Sequence, residues 1–436
     1  MKTFVSTLIL SLFLITVLVT ESNAQENRDL QYFRTPDQTG LNIFEAPKEE
    51  GPEFDGVRVR LGGSNTLQFQ ALDHENAGPF RTGTDEAGNP IMGEIFNIGP
   101  NFNLATSNLD IDVQLHRGLR MHLRTYLSSR HHSQPYVKGG YMQVDRLDFI
   151  REGFAEEIMD KISIKVGHME INYGDAHFRR SDNAQTIFNP FVGNYIMDGF
   201  TTEVGGEVLL RSNGFLAMLG LTNGKLNQSV RLAPENQLET RLSFVGKVGY
   251  DSQINEDLRV RLTGSIYTTG QSNRTFLYAG DRAGSRYYNI LTNNPSEFRT
   301  PRFDPGFVNE LTAIMINPFV KYKGLEFFGM YEVASGKAAA EPDSRTFTQI
   351  GAELLYRFGT NENIYVGGRY NQVSGDTAAG EDVTIDRINI GGGWFLTKNV
   401  LAKLEYVSQS YDGFNTGTIF DGAKFSGLML EAVISF

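Results

Sequence analysis

Apolar and polar residues alternate along most of this 436-residue chain with a period of two. In one stretch, for example, Leu109, Ile111 and Val113 alternate with Asp110 and Asp112. Because successive side chains of a β-strand point to opposite faces, such alternation predicts strands with one apolar face and one polar face. We therefore predict an all-β protein whose sheet separates two unlike environments.

Sixteen such segments are recognisable after residue 56. We expect strands to begin near residues 57, 103, 119, 138, 161, 200, 214, 239, 256, 309, 324, 345, 362, 382, 399 and 424. Tight links such as 117–118 and 323–324 alternate with long polar stretches such as 72–98 and 270–306. Outer-membrane barrels combine short periplasmic turns with long external loops. The pattern favours a 16-stranded antiparallel transmembrane β-barrel, surrounded by membrane lipid, over a soluble sandwich.

The last strand carries the most specific signal. Leu428, Leu430, Ile434 and the terminal Phe436 share one face, whereas Glu431 lies on the other. This ending resembles the assembly signal of bacterial outer-membrane barrels, so the barrel-assembly machinery is an expected partner of the Phe436 strand. Aromatic residues at the ends of apolar series suit the girdles of a lipid-facing surface. They are Tyr250, Tyr322, Phe358, Tyr370, Trp394, Tyr406 and Phe436.

The amino-terminal residues predict export. Lys2, an apolar stretch and small residues ending at Ala24 predict a secretory signal peptide over residues 1–24. Residues 25–55 are polar and contain three prolines, so we expect a periplasmic leader without strong structure of its own. Residues 56–436 would form the barrel, located in the cell outer membrane.

Composition excludes several other classes of protein. The chain has no cysteine, which excludes disulfides and thiolate metal sites, and its net charge of −11 argues against nucleic-acid binding. Neither GxSxG nor HExxH occurs, and His131 and His132 have no spaced carboxylate partner. We therefore expect no catalytic residue, metal or cofactor, although a hydrolase assembled across strands would leave no linear motif.

A barrel of sixteen tilted strands is too wide for its side chains to fill, which predicts an aqueous channel. Charged positions that alternate with the apolar ones would face that channel and bias the passage of ions. We expect the pore to be lined by Arg58, Arg60, Asp110, Asp112, Arg120, Arg124, Lys165, Arg241, Lys247, Arg259 and Arg261. We predict weak selectivity, with a slight anion lean at the constriction through Arg179 and Arg180.

The third long connection, 172–199, combines charged residues with many large apolar ones. A loop that remained in water would not need those apolar groups, so we expect it to fold into the pore as a constriction. The constriction residues would be Asp175, His177, Arg179, Arg180, Asp182 and Asn183. The other interpretation is an external loop that packs on its neighbours or on another subunit.

The stretch GHMEINYGDAHFRRSDNAQTIFNPFVGNYIMDGFTTEVGGE, from Gly167 to Glu207, resembles porins of the Bacteroidetes type. The architecture is also distantly similar to the general porins and to the phosphate-selective porin superfamily. This resemblance implies a third loop bent into the pore and a homotrimer. No lysine cluster or arginine ladder of the phosphate-selective porins matches position by position, so phosphate selectivity is not carried over.

The first hypothesis is therefore a porin, a passive diffusion channel for ions and small hydrophilic solutes. The alternative is a non-conducting outer-membrane barrel that serves as a structural, anchoring or secretion-accessory protein. A soluble, secreted β-rich binding module is a third possibility, which the alternation around the whole chain disfavours.

Overall fold

The computed structural model describes residues 30–48, 51–127, 136–182, 185–227, 229–235, 237–281 and 286–436. The proposed signal peptide, Asn183 and the His131–His132 pair lie outside these residues. Within them, no helix is long and apolar enough to cross a membrane.

Within the described residues, eighteen strands form, and sixteen of these close into one barrel. Their bounds are β1 Arg58–Glu75, β2 Phe80–Thr84, β3 Pro90–Gly93, β4 Asn101–His116, β5 Leu119–Leu127, β6 Tyr136–Val144, β7 Ile162–Glu170, β8 Thr202–Ser212, β9 Phe215–Thr222, β10 Ser243–Gln253, β11 Leu258–Thr269, β12 Glu310–Tyr322, β13 Leu325–Lys337, β14 Arg345–Phe358, β15 Ile364–Asp376, β16 Asp382–Thr397, β17 Val400–Asp412 and β18 Lys424–Ser435. The predicted 16-stranded antiparallel barrel is confirmed, and β2 and β3 form a separate hairpin.

The barrel closes between its first and last strands. β1 pairs with β18 from Ser64↔Ser435 to Glu75↔Lys424, and with β4 on its other side. Beyond the last paired residue, Gly63 and Phe436 exchange backbone hydrogen bonds of 2.9 and 3.0 Å. Both ends of the barrel sequence therefore lie at the same rim, as an even strand count requires.

The two rims differ in the length of their connections. At the rim that holds Phe436, most turns are tight: 117–118, 213–214, 254–257, 323–324, 359–363 and 398–399. The exception is 145–161, which contains the short helix α1, Glu156–Met159. The opposite rim carries the long connections, so the tight rim corresponds to the periplasmic side.

The two faces of the wall are as unlike as the alternation predicts. In β18, Leu428 and Leu430 are half exposed on the outer face, whereas Glu431 and Val433 on the inner face are buried. An apolar outer surface of this kind contacts lipid. Six of the predicted girdle aromatics are 39% to 53% exposed, and Tyr250 is half-buried. Tyr370 and Tyr406 differ from the prediction because they lie in the middle of β15 and β17 rather than at strand ends.

Three parts of the described chain pack inside the wall: residues 30–48, 171–201 and parts of 271–309. Within the leader predicted for residues 25–55, the described stretch 30–48 contains one 3₁₀ turn, Gln38–Gly40, and is held inside the barrel. Its apolar residues explain this position. Leu30, Tyr32 and Phe44 are each no more than 5% exposed.

Candidate functional site: the barrel interior

Charged residues on the inner face are paired with one another rather than surrounded by water. Lys403 lies 2.8 Å from Glu431, and both side chains are at most 1% exposed. Arg357 Nε donates to Glu326 Oε2 at 2.8 Å on neighbouring strands. Buried charges need close partners of opposite charge, and these charges have them. The prediction of a water-filled lumen around them is therefore wrong for most of the interior.

Backbone groups of 171–201 bind directly to inward-facing side chains of the wall. The amide of Val192 donates to Glu405 Oε2 at 2.8 Å, and that of Ile196 donates to Asn371 Oδ1 at 2.7 Å. The amide of Met197 donates to Gln349 Oε1 at 3.0 Å. This segment has no strand ladder of its own, so side chains of β14, β15 and β17 satisfy amides that are buried away from water.

Asp175 links this segment to β10 and β11. Its carboxylate accepts hydrogen bonds from Arg261 at 2.8 and 2.9 Å, from Lys247 at 3.0 Å and from Thr263 at 2.7 Å. Burial alone would raise the pKa of Asp175, but Arg261 and Lys247 hold it well below its usual range. Asp175 is thus a fully buried anion that fixes the segment to the wall.

The other residues expected at a constriction are also largely bound to protein partners. Arg179 Nη2 lies 2.7 Å from Glu326 and 3.1 Å from Glu353. Arg180 lies 2.6 Å from both Asp198 and Asp281, and Asp182 pairs with Lys138. His177 contacts Glu170 at 2.8 Å, and burial lowers its pKa, so its imidazole is neutral at pH 7.

A second set of ion pairs and hydrogen bonds holds residues 30–48 inside the barrel. Glu45 accepts two hydrogen bonds of 2.8 Å from Arg261, whose guanidinium is therefore shared between Glu45 and Asp175. Asn42 donates to Glu326 at 2.7 Å and accepts from Arg179 at 2.7 Å. Burial would raise the pKa of Glu45, but Arg261 and Lys247 lower it to about 2.

A third set of contacts comes from the connection between β11 and β12. Tyr278 donates to Glu332 Oε1 at 2.7 Å, and Tyr287 donates to Glu405 Oε1 at 2.6 Å. Phe303 N donates to Ile196 O at 2.8 Å, which joins this connection to 171–201. The tyrosines at 278, 287 and 288 are the sequence signal that would have identified this inward-packed stretch.

Open space remains on one side of the interior, as a cavity of about 180 Å³. One of its sides is the charged wall of β1 and β4–β8. The other side is formed by 30–48 and 171–201, including Phe33, Phe178 and Phe188. Of the residues predicted to be functional, the cavity is lined by Arg60, Asp110, Asp112, Arg120, Arg124, Lys165 and His177.

Five predicted pore-lining residues lie elsewhere. The prediction that Arg241 lines the pore is wrong, because this residue precedes β10 and is exposed at the external rim. Arg58 pairs with Asp55 at the periplasmic rim. Lys247 and Arg261 are buried against Asp175, while Arg259 binds Asp251 at 2.7 Å and the carbonyl of Asn42 at 2.8 Å.

Charges along the cavity wall are nearly balanced. Arg124 forms two hydrogen bonds of 2.7 Å with Asp110, and Lys165 lies 3.0 Å from Glu207. Asp112 is shared, because Arg120 lies 2.9 Å and Arg60 lies 3.6 Å from its carboxylate oxygens. Two guanidinium groups, those of Arg60 and Arg120, therefore face the single carboxylate of Asp112. Among the described residues, no group of three or more His, Asp or Glu side chains is placed to hold a metal ion.

No protein-family model matches the chain, and no curated protein matches it. Among solved structures, the outer membrane channel DcaP of Acinetobacter baumannii superposes with a TM-score of 0.52 at 10% identity. The match covers 88% of this chain and 99% of that chain. OmpT, an outer membrane protein of Vibrio cholerae solved in a trimer form, gives a TM-score of 0.51 at 12% identity and covers 88% of this chain and 100% of that chain.

The chain has the fold of a porin-like outer-membrane barrel. Identities this low establish the fold alone. The closed 16-stranded sheet and its apolar outer surface place the described barrel in the outer membrane, in contact with lipid.

Proposed function

We propose that this barrel is a weakly selective outer-membrane channel for ions and small hydrophilic solutes, and not an enzyme. The observation that carries the proposal is the cavity between the charged wall of β1 and β4–β8 and the inserted segments. Its wall offers fixed polar groups of both signs along several neighbouring strands, which suits the passage of hydrated solutes. The channel would lie to one side of the barrel axis, because the opposite half of the interior is filled.

The selectivity of this channel would come from the group around Asp112. Arg60 and Arg120 share that one carboxylate, so the local field favours anions weakly. Arg179 and Arg180 were the predicted source of an anion lean, but both are bound to carboxylates. We therefore assign the lean to Arg60 and Arg120 instead.

The segment 171–201 would serve as the constriction of this channel. Support comes from its buried backbone contacts with β14, β15 and β17 and from His177 and Phe178 on the cavity. In this proposal it narrows the pore mainly by its volume, because its charged groups are bound internally.

Purified protein in planar lipid bilayers tests the proposal. We expect stepwise single-channel conductance with a permeability ratio for anions over cations slightly above one. Protein that inserts and resists unfolding in detergent, yet never conducts, would contradict a channel and support the alternative below.

A second candidate function is a barrel that is closed at rest. It is favoured by a specific observation: in the described structure, 30–48, 171–201 and parts of 271–309 fill most of the interior through buried contacts. Such a barrel would serve as an anchoring or accessory protein, or would conduct only after 30–48 leaves. A variant lacking residues 30–48 separates these cases, since only a closed channel gains conductance from the deletion.

Two partners remain part of the proposal. A homotrimer is supported by the trimer form of the V. cholerae structure, and light scattering of the detergent-solubilised protein tests it. Recognition by the barrel-assembly machinery is supported by the exposed Phe436 at the end of β18, and its deletion should lower the amount of assembled barrel.

A further inference from the structure

The connection between β6 and β7 differs from the other described turns at the periplasmic rim. It has 17 residues, 145–161, whereas its neighbours 117–118 and 213–214 have two each. Successive tight turns lead into α1: Ile150 N donates to Leu147 O, and Phe154 N donates to Arg151 O. A connection of this length is not needed to join two adjacent antiparallel strands.

The outer wall is buried beside this connection. Val144 lies in an outward-facing row, paired with Leu119 on β5 and Ile164 on β7. It is only 6% exposed, whereas outward residues elsewhere, such as Leu354 and Leu404, are more than 50% exposed. Met159 of α1 is 2% exposed, and α1 packs against β7.

The side of the connection that faces away from the wall is apolar. Phe149, Ile150, Phe154 and Ile158 are between 38% and 60% exposed. Ile158 lies in α1, and the other three lie in the turns that lead into it. Exposed charged residues flank them, including Arg151, Glu157 and Lys161. The segment is thus amphipathic, and its apolar side is exposed in the described structure.

Ionic contacts hold this apolar side in a fixed position. Arg117 lies 3.1 Å from Asp148, and Arg146 lies 2.5 Å from Asp160. Gly153 N donates to Asp148 Oδ1 at 3.0 Å. Four large apolar side chains exposed together on an anchored segment favour an apolar partner, because their contact with water is unfavourable.

We infer that residues 145–161 are an interfacial foot, which rests in the periplasmic leaflet of the outer membrane and binds phospholipid. The patch is continuous with the lipid-facing wall, since the foot directly follows Val144, which shares an outward row with Met142 at 42% exposure. Segments with one apolar side and a charged side lie in the plane of a bilayer with the apolar side buried about 5–10 Å. The inference depends on the barrel and its orientation, and not on whether the barrel conducts.

Trp394 makes the test direct, because it is the only tryptophan of the chain. It is 53% exposed on the outer wall and serves as the lipid-facing reference. The probe variant is Trp394→Phe with Phe154→Trp. The matched control is Trp394→Phe with Met92→Trp, since Met92 on the external hairpin is 52% exposed and lies away from the wall. Each protein is reconstituted in phosphatidylcholine vesicles with and without lipids brominated at positions 6,7 or 11,12.

We expect the tryptophan of the probe variant to be quenched at least half as strongly as Trp394, and more by the 6,7-bromolipid than by the 11,12-bromolipid. Quenching no greater than in the Met92 control would overturn the inference. An unquenched but blue-shifted emission would also overturn it, and would indicate a second copy of the chain as the occupant.

A second measurement covers the case in which the probe variant does not fold. Since the chain has no cysteine, Ile150→Cys or Ile158→Cys can carry a single nitroxide label. Greater collision with oxygen than with a water-soluble nickel complex supports a foot in lipid, and the reverse order contradicts it.

Discussion

The ion pair between Glu45 and Arg261 predicts how firmly residues 30–48 are held inside the barrel. We consider Glu45→Gln, which keeps the side-chain shape and removes the charge. Glu45 is 5% exposed at its side chain and accepts two hydrogen bonds of 2.8 Å from Arg261. Breaking a buried pair costs about 3–5 kcal/mol. Arg261 retains Asp175 in the variant, so we take the lower value.

A loss of about 3 kcal/mol changes an equilibrium by roughly 100-fold, because each 1.4 kcal/mol corresponds to a factor of ten. The fraction of molecules in which 30–48 has left the interior should rise by that factor. Limited trypsin digestion measures it, since the half-buried Arg34 and Lys48 become more accessible on release. When release and return are fast relative to cleavage, the cleavage rate follows the released population.

Glu53→Gln is the matched control, because Glu53 is exposed and lies just outside the anchored segment. Its digestion rate should equal that of the unaltered protein. Equal rates for Glu45→Gln and Glu53→Gln, with both barrels folded, would refute the claim that this ion pair anchors the segment.

Three further outcomes follow from the structure. The pKa of Glu45 is lowered to about 2, so its stabilising effect is complete above the ordinary pKa near 4.5 and is lost as the pH falls toward 2. A fluorophore attached to 30–48 should therefore report release of the segment at acid pH, and Glu45→Gln should abolish this pH dependence. Arg120→Gln removes one charge; at roughly 6 Å in water that charge stabilises a passing anion by about 0.7 kcal/mol and destabilises a cation by the same amount. The anion-to-cation permeability ratio should therefore fall about tenfold, whereas the exposed Arg81→Gln should leave the reversal potential unchanged. Leu354→Arg places a charge on the lipid-facing wall and should lower the free energy of unfolding by about 2–4 kcal/mol, measured by urea titration in vesicles. Met92→Arg on the external hairpin should change it by less than about 0.5 kcal/mol.

Strand positions could be predicted because the alternation that encodes them is local. The expected start near residue 345 coincides with that of β14, and the largest difference is at β10, which begins at Ser243 rather than near residue 239. That difference also explains the error at Arg241. Its position in the alternation matches the inner face, but the strand has not yet begun there, and the residue lies in the external connection.

The contents of the interior could not be predicted from the same pattern. A polar residue that faces inward alternates identically whether it meets water, a loop or an ion-pair partner. Glu45 and Arg261 are 216 positions apart, and Arg179 and Glu353 are 174 apart, so neither pairing leaves a local signature. The leader did contain a signal, because Leu30, Tyr32, Phe33 and Phe44 are too apolar for a solvated linker.

The inserted segments are tethered to the wall in different ways. Residues 171–201 are continuous with β7 and β8 at both ends, so they cannot leave without straining the ladder. Residues 30–48 connect to the wall through the described stretch 51–57, whose residues are exposed or half-buried. Withdrawal of 30–48 toward the periplasm would break its side-chain contacts and the hydrogen bond from Gln38 N to Lys398 O, but no inter-strand hydrogen bond, so the barrel wall can stay closed while this insert leaves.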